Sequence, residues 1–210
     1  MSFFFTQDPL PLAAALTAFL GSYLSGSVPY GLLLTRMAGL GDIRAIGSGN
    51  IGATNVLRTG SKKLAALTLL LDALKAAVPV LVAKSVHMDY AVLAAIGAFL
   101  GHLFPVWLKF KGGKGVASAI GICFALSWIL GLTLCLIWVG VAVISRYSSL
   151  SALVAFALAP LTAGFITGDY QTICIAMLLA IAVWIKHHQN ISRLWHGTEG
   201  KINFSKKSAV

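Results

Sequence analysis

Three stretches of this chain set glycines, hydroxyls, amides and cations close enough together to bind an anion. They are GSGNIGATNVLRTGSKK from Gly47 to Lys63, GHLFPVWLKFKGGKG from Gly101 to Gly115, and KHHQNISRLWHGTEGK from Lys186 to Lys201. In the first, Gly47, Gly49 and Gly52 let backbone N–H groups approach a negative charge closely, and the start of a following helix favours that charge. Ser48, Asn50, Thr54 and Asn55 add neutral donors, and Arg58 adds a planar fork that can hold phosphate in two places. In the second, Lys111, Gly112, Gly113, Lys114 and Gly115 put ammonium groups on a short glycine loop ahead of an apolar run. In the third, His187 and Asn190 are three apart, so on a continuing helix they share a face. A histidine at a water boundary can take a proton or orient a hydroxyl near neutral pH, and a carboxylate among many cations, here Glu199, holds one of them.

Two nucleotide motifs are near misses. Gly47, Gly49 and Gly52 fit G-x-G-x-x-G, but that fingerprint needs a preceding strand within a βαβ unit, and an apolar helix precedes it here. A Walker A loop needs a glycine where this chain has Leu108 and a Ser or Thr where it has Gly115, so ATP use is unsupported. No GxSxG is present, which argues against a hydrolase-like serine nucleophile and for direct attack without an acyl-enzyme. Plainer readings stand beside the chemical ones: the glycines could serve a re-entrant turn, and the lysines could only fix topology. His102 reads as a packing or hydrogen-bonding residue nearly two turns inside its helix. Asp72 and Lys75, at i, i+3 within an apolar run, read as a structural ion pair, with a proton or ion pathway as the alternative. Cys123, Cys135 and Cys174 form no CxxC and read as small buried hydrophobes, with no metal-ligand set.

The elements that must position these residues are membrane helices. Of 210 residues, 58% are hydrophobic and 10% charged, with a mean hydropathy of +0.88. Soluble domains carry about 25% charged residues, so this chain cannot cover a water-facing surface. Apolar runs occur at 12–34, 64–83, 90–108, 116–144, 150–167 and 170–185. A crossing needs about 20 residues, which suits all but 116–144, too long for one plain span. Charge decides: 14 of the 16 basic residues, all but Lys75 and Lys84, fall on one side only if 116–144 makes two short helices turning near Gly131. The expectation is therefore an all-α integral membrane protein of seven helices, residues 1–210 as a single polytopic domain. Its N-terminus lies outside with Asp8, its C-terminus inside with Lys206 and Lys207, and Glu199 and Asp42 are the only acids on the inner side. Segments 36–63, 109–115, 145–149 and 186–201 form the polar site on that side. Small residues along the first helix, such as Gly21 and Gly26, allow close packing. The N-terminus has no basic n-region or small-residue cleavage site and is not a cleavable signal.

Taken together the motifs resemble the bacterial membrane glycerol-3-phosphate acyltransferases that use acyl-phosphate as donor, the PlsY family. The likeness extends over nearly the whole chain. It includes the three stretches in order, SGSVP from Ser25 to Pro29, Asp72 with Lys75, and RYSSLS from Arg146 to Ser151; Ile51 stands where the family often has proline. The resemblance implies transfer of a fatty acyl group from acyl-phosphate to the 1-hydroxyl of sn-glycerol 3-phosphate, giving lysophosphatidic acid and phosphate. It implies catalytic roles for His187, Asn190, Ser149 and Lys114, with Ser148 and Ser151 as near alternatives to Ser149. Phosphate binding would fall to Ser48, Gly49, Asn55, Arg58, Gly113, Lys114 and Glu199. The base is either His187 or a substrate phosphate oxygen, with His187 and Asn190 then orienting. No cofactor and no metal are implied. The partners are the two substrates and the lipid bilayer, with no nucleic acid, and the chain functions as a monomer in the bacterial cytoplasmic (inner) membrane, its site facing the cytoplasm.

The residues suit that chemistry on their own terms. An acyl-phosphate is an activated mixed anhydride, so the protein mainly holds two anions together and orients a hydroxyl, a task for cations and donors. The rival reading is a transporter or flippase for an anionic solute. Against it, the halves show no inverted repeat and the polar motifs gather at one face instead of the midplane. A membrane-anchored RNA binder would need aromatics interleaved among its basic residues, and between the cations of these stretches only Phe110 and Trp195 occur.

Overall fold

The structure, a computed structural model, describes residues 10–202, and those residues form helices and loops with no strand. The positions of Asp8, Lys206 and Lys207 lie outside the described residues. The first apolar run is two helices, α1 (Leu12–Gly26) and α2 (Tyr30–Met37), parted at Pro29, which has no N–H to continue the ladder. A short α3 (Ala53–Val56) follows the first polar loop, and Ser61 then caps α4 (Lys62–Val86), its Oγ accepting from Leu64 N at 3.3 Å. The chain continues through α5 (Met88–Leu103), α6 (Val116–Leu126), α7 (Trp128–Ser145), α8 (Ser148–Thr167), α9 (Tyr170–Lys186) and α10 (His188–Trp195).

Five stretches are long and apolar enough to cross a membrane: Leu12–Met37, Lys62–Val86, Met88–Leu108, Trp128–Ser145 and Ser148–Thr167. A sixth arises if α9 and α10, bent by 59°, count as one span. The outer surface is apolar, with Phe165 92% and Ile144 87% exposed, as expected of side chains that meet lipid. Helices α1 and α5 pack backbone to backbone. A methyl group on Gly26, Gly97 or Gly101 would strike the backbone of the opposite helix, whereas Gly21 has nothing near it.

The run 116–144 does make two helices, but it breaks at Ser127 and not at Gly131. Ser127 caps α7 by accepting from Leu130 N, while Lys84 Nζ satisfies the terminal carbonyls of α6 by donating to Leu126 O and, at 3.3 Å, to Ala125 O. Only α6 is short: its 11 residues rise about 16 Å, half of a roughly 30 Å hydrocarbon core. Two further expectations are corrected. Helix α5 ends at Leu103 because Phe104 precedes Pro105, so His102 lies in the last turn instead of nearly two turns inside. The third polar stretch is not one continuing helix, since the chain turns at His187 between α9 and α10.

Candidate active site

Each polar loop is first held to itself. Asp42 caps the turn Ile43–Ala45 and grips Arg44 at 2.6 Å and Arg36 at 2.8 Å. The hydrogen bond from Arg44 holds its carboxyl well below the usual range. Asn55 is buried at the centre of the loop. Its Nδ2 donates to Ile43 O, Ile46 O and Asn50 O at 2.8–3.1 Å, and its Oδ1 accepts from Ser48 N at 3.1 Å. This amide, expected to meet phosphate, holds the loop together, and Asn55 also lines the cavity described below. Gly47 has a φ of +56°, and a side chain there would collide with Arg58 and Asn55, so glycine is what lets the Arg58 guanidinium lie along this loop.

The second loop folds back on the end of α5. Gly112 N donates to Leu103 O at 3.2 Å and Gly113 N to His102 O at 3.1 Å, with the His102 ring against Gly113. The N–H of Gly113 is thus used within the fold, as is that of Gly49, which donates to Ile46 O at 3.0 Å. Neither glycine is among the residues lining the cavity described below, where both were expected to help bind phosphate. What this folding does is present Lys114 and the first turn of α6.

In the third stretch His187 Nδ1 lies 2.7 Å from Val183 O. A carbonyl only accepts, so Nδ1 carries the proton and Nε2 is left as the acceptor. Burial, helped by the nearby Lys114, lowers the pKa of this imidazole to about 4 against the opposing pull of that carbonyl and of Glu199. Glu199 accepts from Ser149 Oγ and Asn190 Nδ2, both at 2.6 Å, and from Arg193 Nε at 2.7 Å. Partial burial raises its pKa, but these three donors outweigh burial and hold it below the usual value. Asn190 passes the connection on, its Oδ1 accepting from Lys114 Nζ. Burial, then Arg193 and Arg58, lower Lys114 to about 8, with Glu199 opposing. Ser148 Oγ pairs with Thr54 Oγ1 at 3.1 Å, and Ser151 turns back to Tyr147 O, which leaves Ser149 as the RYSSLS serine tied to the cluster.

These groups line one cavity of about 500 Å³. At its polar end stand Ser48, Arg58, Lys114, Ser149, His187, Asn190, Arg193 and Glu199; toward the membrane the wall turns apolar along α4, α6 and α7. Arg36 and Arg44 are not on this wall, since they are taken by Asp42. Arg193 was not singled out from the sequence, although its i, i+3 spacing from Asn190 pointed to the same face. Asp72 and His102 also reach the wall. The former is paired with Lys75 at 2.7 Å, both side chains buried, as a structural ion pair would be. Among the described residues no cluster of three or more His, Cys, Asp or Glu could hold a metal ion.

Residues 16–197 match a family model described as glycerol-3-phosphate acyltransferase. A glycerol-3-phosphate acyltransferase of Mesorhizobium japonicum is 57% identical over 185 residues, covering 88% of this chain and 94% of that one. One from Sinorhizobium medicae is 54% identical over 202 residues, covering 96% and 98%. The crystal structure of PlsY, an integral membrane glycerol 3-phosphate acyltransferase, in its glycerol 3-phosphate form superposes with a TM-score of 0.86 at 35% identity over 90% of this chain and 96% of that one. The lysophosphatidic acid form of PlsY gives 0.84 at 34% identity, with the same coverage. With the family model matching most of the chain and the fold shared along nearly its whole length, this protein belongs to the PlsY family of glycerol-3-phosphate acyltransferases.

Proposed function

We propose that this protein transfers a fatty acyl group from acyl-phosphate to the 1-hydroxyl of sn-glycerol 3-phosphate, releasing lysophosphatidic acid and inorganic phosphate. The observation that carries the reading is a single cavity whose cationic, hydroxyl-lined end runs into an apolar end. Both substrates are phosphate anions, and one drags a hydrocarbon chain. Arg58, Lys114, Arg193 and the free N–H groups at the start of α6 serve the anions, and the apolar wall takes the chain. The hydroxyl oxygen attacks the acyl carbon, the bond from that carbon to the phosphate oxygen breaks, and the phosphate departs with the electron pair. With a pKa of about 4, His187 is neutral at pH 7 and a weak base. A phosphate oxygen, with a pKa of about 6, is the better proton acceptor. His187 Nε2 therefore orients the hydroxyl, and the departing phosphate takes its proton. Asn190 and Ser149 hold Lys114 and Glu199 in register, and Asn55, Gly49 and Gly113 shape the loops behind Ser48, Arg58 and Lys114.

The same reading supplies the topology. Between consecutive polar segments lie α4 with α5, α6 with α7, and α8 with α9, so each hairpin returns the chain to the cavity. With α1 this makes seven helices, the N-terminus outside and the polar end in the cytoplasm of a bacterial inner membrane. Action as a monomer is part of the same proposal, since the steps above call on residues of one chain alone. The test is purified protein in lipid vesicles, supplied with glycerol 3-phosphate and either palmitoyl-phosphate or palmitoyl-CoA. The expected result is one phosphate released per lysophosphatidic acid formed, without CoA, ATP or added metal. Faster turnover of palmitoyl-CoA would overturn the donor assignment.

A further inference from the structure

The apolar part of the cavity is a wedge between α6 and α7, roofed by α4. On α6 its wall is carried by Ala117, Ile120 and Phe124, which recur at the spacing that keeps them on one face, and Phe124 is the last of them. On α7 it is carried by Cys135 and Trp138. The two helices are joined through Ser127 alone, and the cavity-lining residues nearest that joint are Phe124 on α6 and Cys135 on α7. Gly131 is where Phe124 packs on α7. A Cβ on Gly131 would overlap the Cα and ring atoms of Phe124, so only glycine admits this aromatic side chain to the seam.

We propose that Phe124, seated on Gly131, is the end wall of the acyl-chain channel and sets the chain length this enzyme transfers best. The inference rests on the cavity being the site of acyl transfer. From Val116, beside Lys114, to Phe124 the helix rises about 12 Å, the reach of about nine or ten methylene groups. A longer chain must pass around the ring into the bilayer. The tail of a membrane-bound donor already lies in hydrocarbon, so entering the channel yields little by removal from water, and discrimination by length has to come from steric fit. The Phe124 ring is the bulky group at the place where that fit is decided. Cys135, one turn nearer the polar end on the opposite wall, marks where a larger side chain would shorten the channel.

The experiment offers reconstituted protein an equimolar mixture of short, medium and long saturated acyl-phosphates with excess glycerol 3-phosphate, and reads the lysophosphatidic acids by mass spectrometry. Phe124→Ala should raise the ratio of long-chain to medium-chain product by roughly three- to tenfold, at or below the low end of what a closed pocket achieves per methylene. Cys135→Phe should lower the same ratio. A merely structural defect would depress all chains together and leave the ratio alone. Phe124 is 39% exposed, so trimming it opens little of the core, and Phe124→Leu gives a milder second variant. Unchanged ratios, or shifts in the same direction for Phe124→Ala and Cys135→Phe, overturn the end wall. If acyl-CoA proves to be the donor, the transfer reading loses its donor while the same mixture of acyl-CoAs still tests the wall. Turnover of neither donor overturns both.

Discussion

At the scale of single residues, burial and neighbouring charges set the protonation of the cavity groups. Lys114 is the clearest case, because burial and the neighbouring Arg193 and Arg58 bring it to about 8. Its ammonium is then complete below about pH 7 and lost above about pH 9, so binding of an anion weakens as pH rises through that window. A bound phosphate would stabilise the cation and hide the effect in kcat, whereas kcat/KM reports the free enzyme. The pH profile of kcat/KM should therefore fall on an alkaline limb near 8. In Lys114→Arg, whose guanidinium does not titrate there, the limb should vanish even if the absolute rate drops. A limb that persists in that variant would belong to another group. His187 gives no competing feature at neutral pH, since its titration lies near 4.

At the scale of elements, much was legible in the sequence and the remainder depended on partners far away along the chain. The three polar stretches announced themselves by composition, and the Asp72–Lys75 pair by spacing, because both are local properties. The break at Ser127 was not legible: it relies on Lys84 reaching carbonyls 41 and 42 residues away. Nor was the use of the Gly113 N–H, which is spent on a carbonyl at the end of α5. Glycine content says that a backbone can approach an anion, not which acceptor it meets first. These details also decide where topology can be tested. Gly113 lies against the His102 ring and Asp89 is buried, so neither suits a reporter, while Lys111 and Val86 are exposed. A cysteine at Lys111 should react only with impermeant reagent on the cytoplasmic side, and one at Val86 only from outside. Labelling of both from one side would contradict the antiparallel pairing of α4 and α5 about the membrane.

At the scale of the whole molecule, the four polar segments and the wedge of α4, α6 and α7 meet in one space, and this constrains the order of events. A two-step route through an acyl-enzyme needs a nucleophile with a base beside it. Ser149 is hydrogen-bonded to a carboxylate that Asn190 and Arg193 already hold, Ser148 is paired with Thr54, and the His187 ring donates to a backbone carbonyl. No histidine–serine pair is formed among the cavity hydroxyls of the described residues, and Cys135 stands in the apolar half, away from the cations. A cavity of about 500 Å³, within the range of ligand sites at roughly 300–1,000 Å³, can hold a glycerol phosphate and the head of an acyl-phosphate together. Direct transfer then requires both substrates to be present before either product leaves. Initial rates measured over a grid of the two substrate concentrations should give intersecting reciprocal plots. Acyl-phosphate alone should leave no acyl group on the protein after quenching. Parallel plots, or a trapped acyl-serine or acyl-cysteine, would require a nucleophile that this arrangement of side chains does not provide.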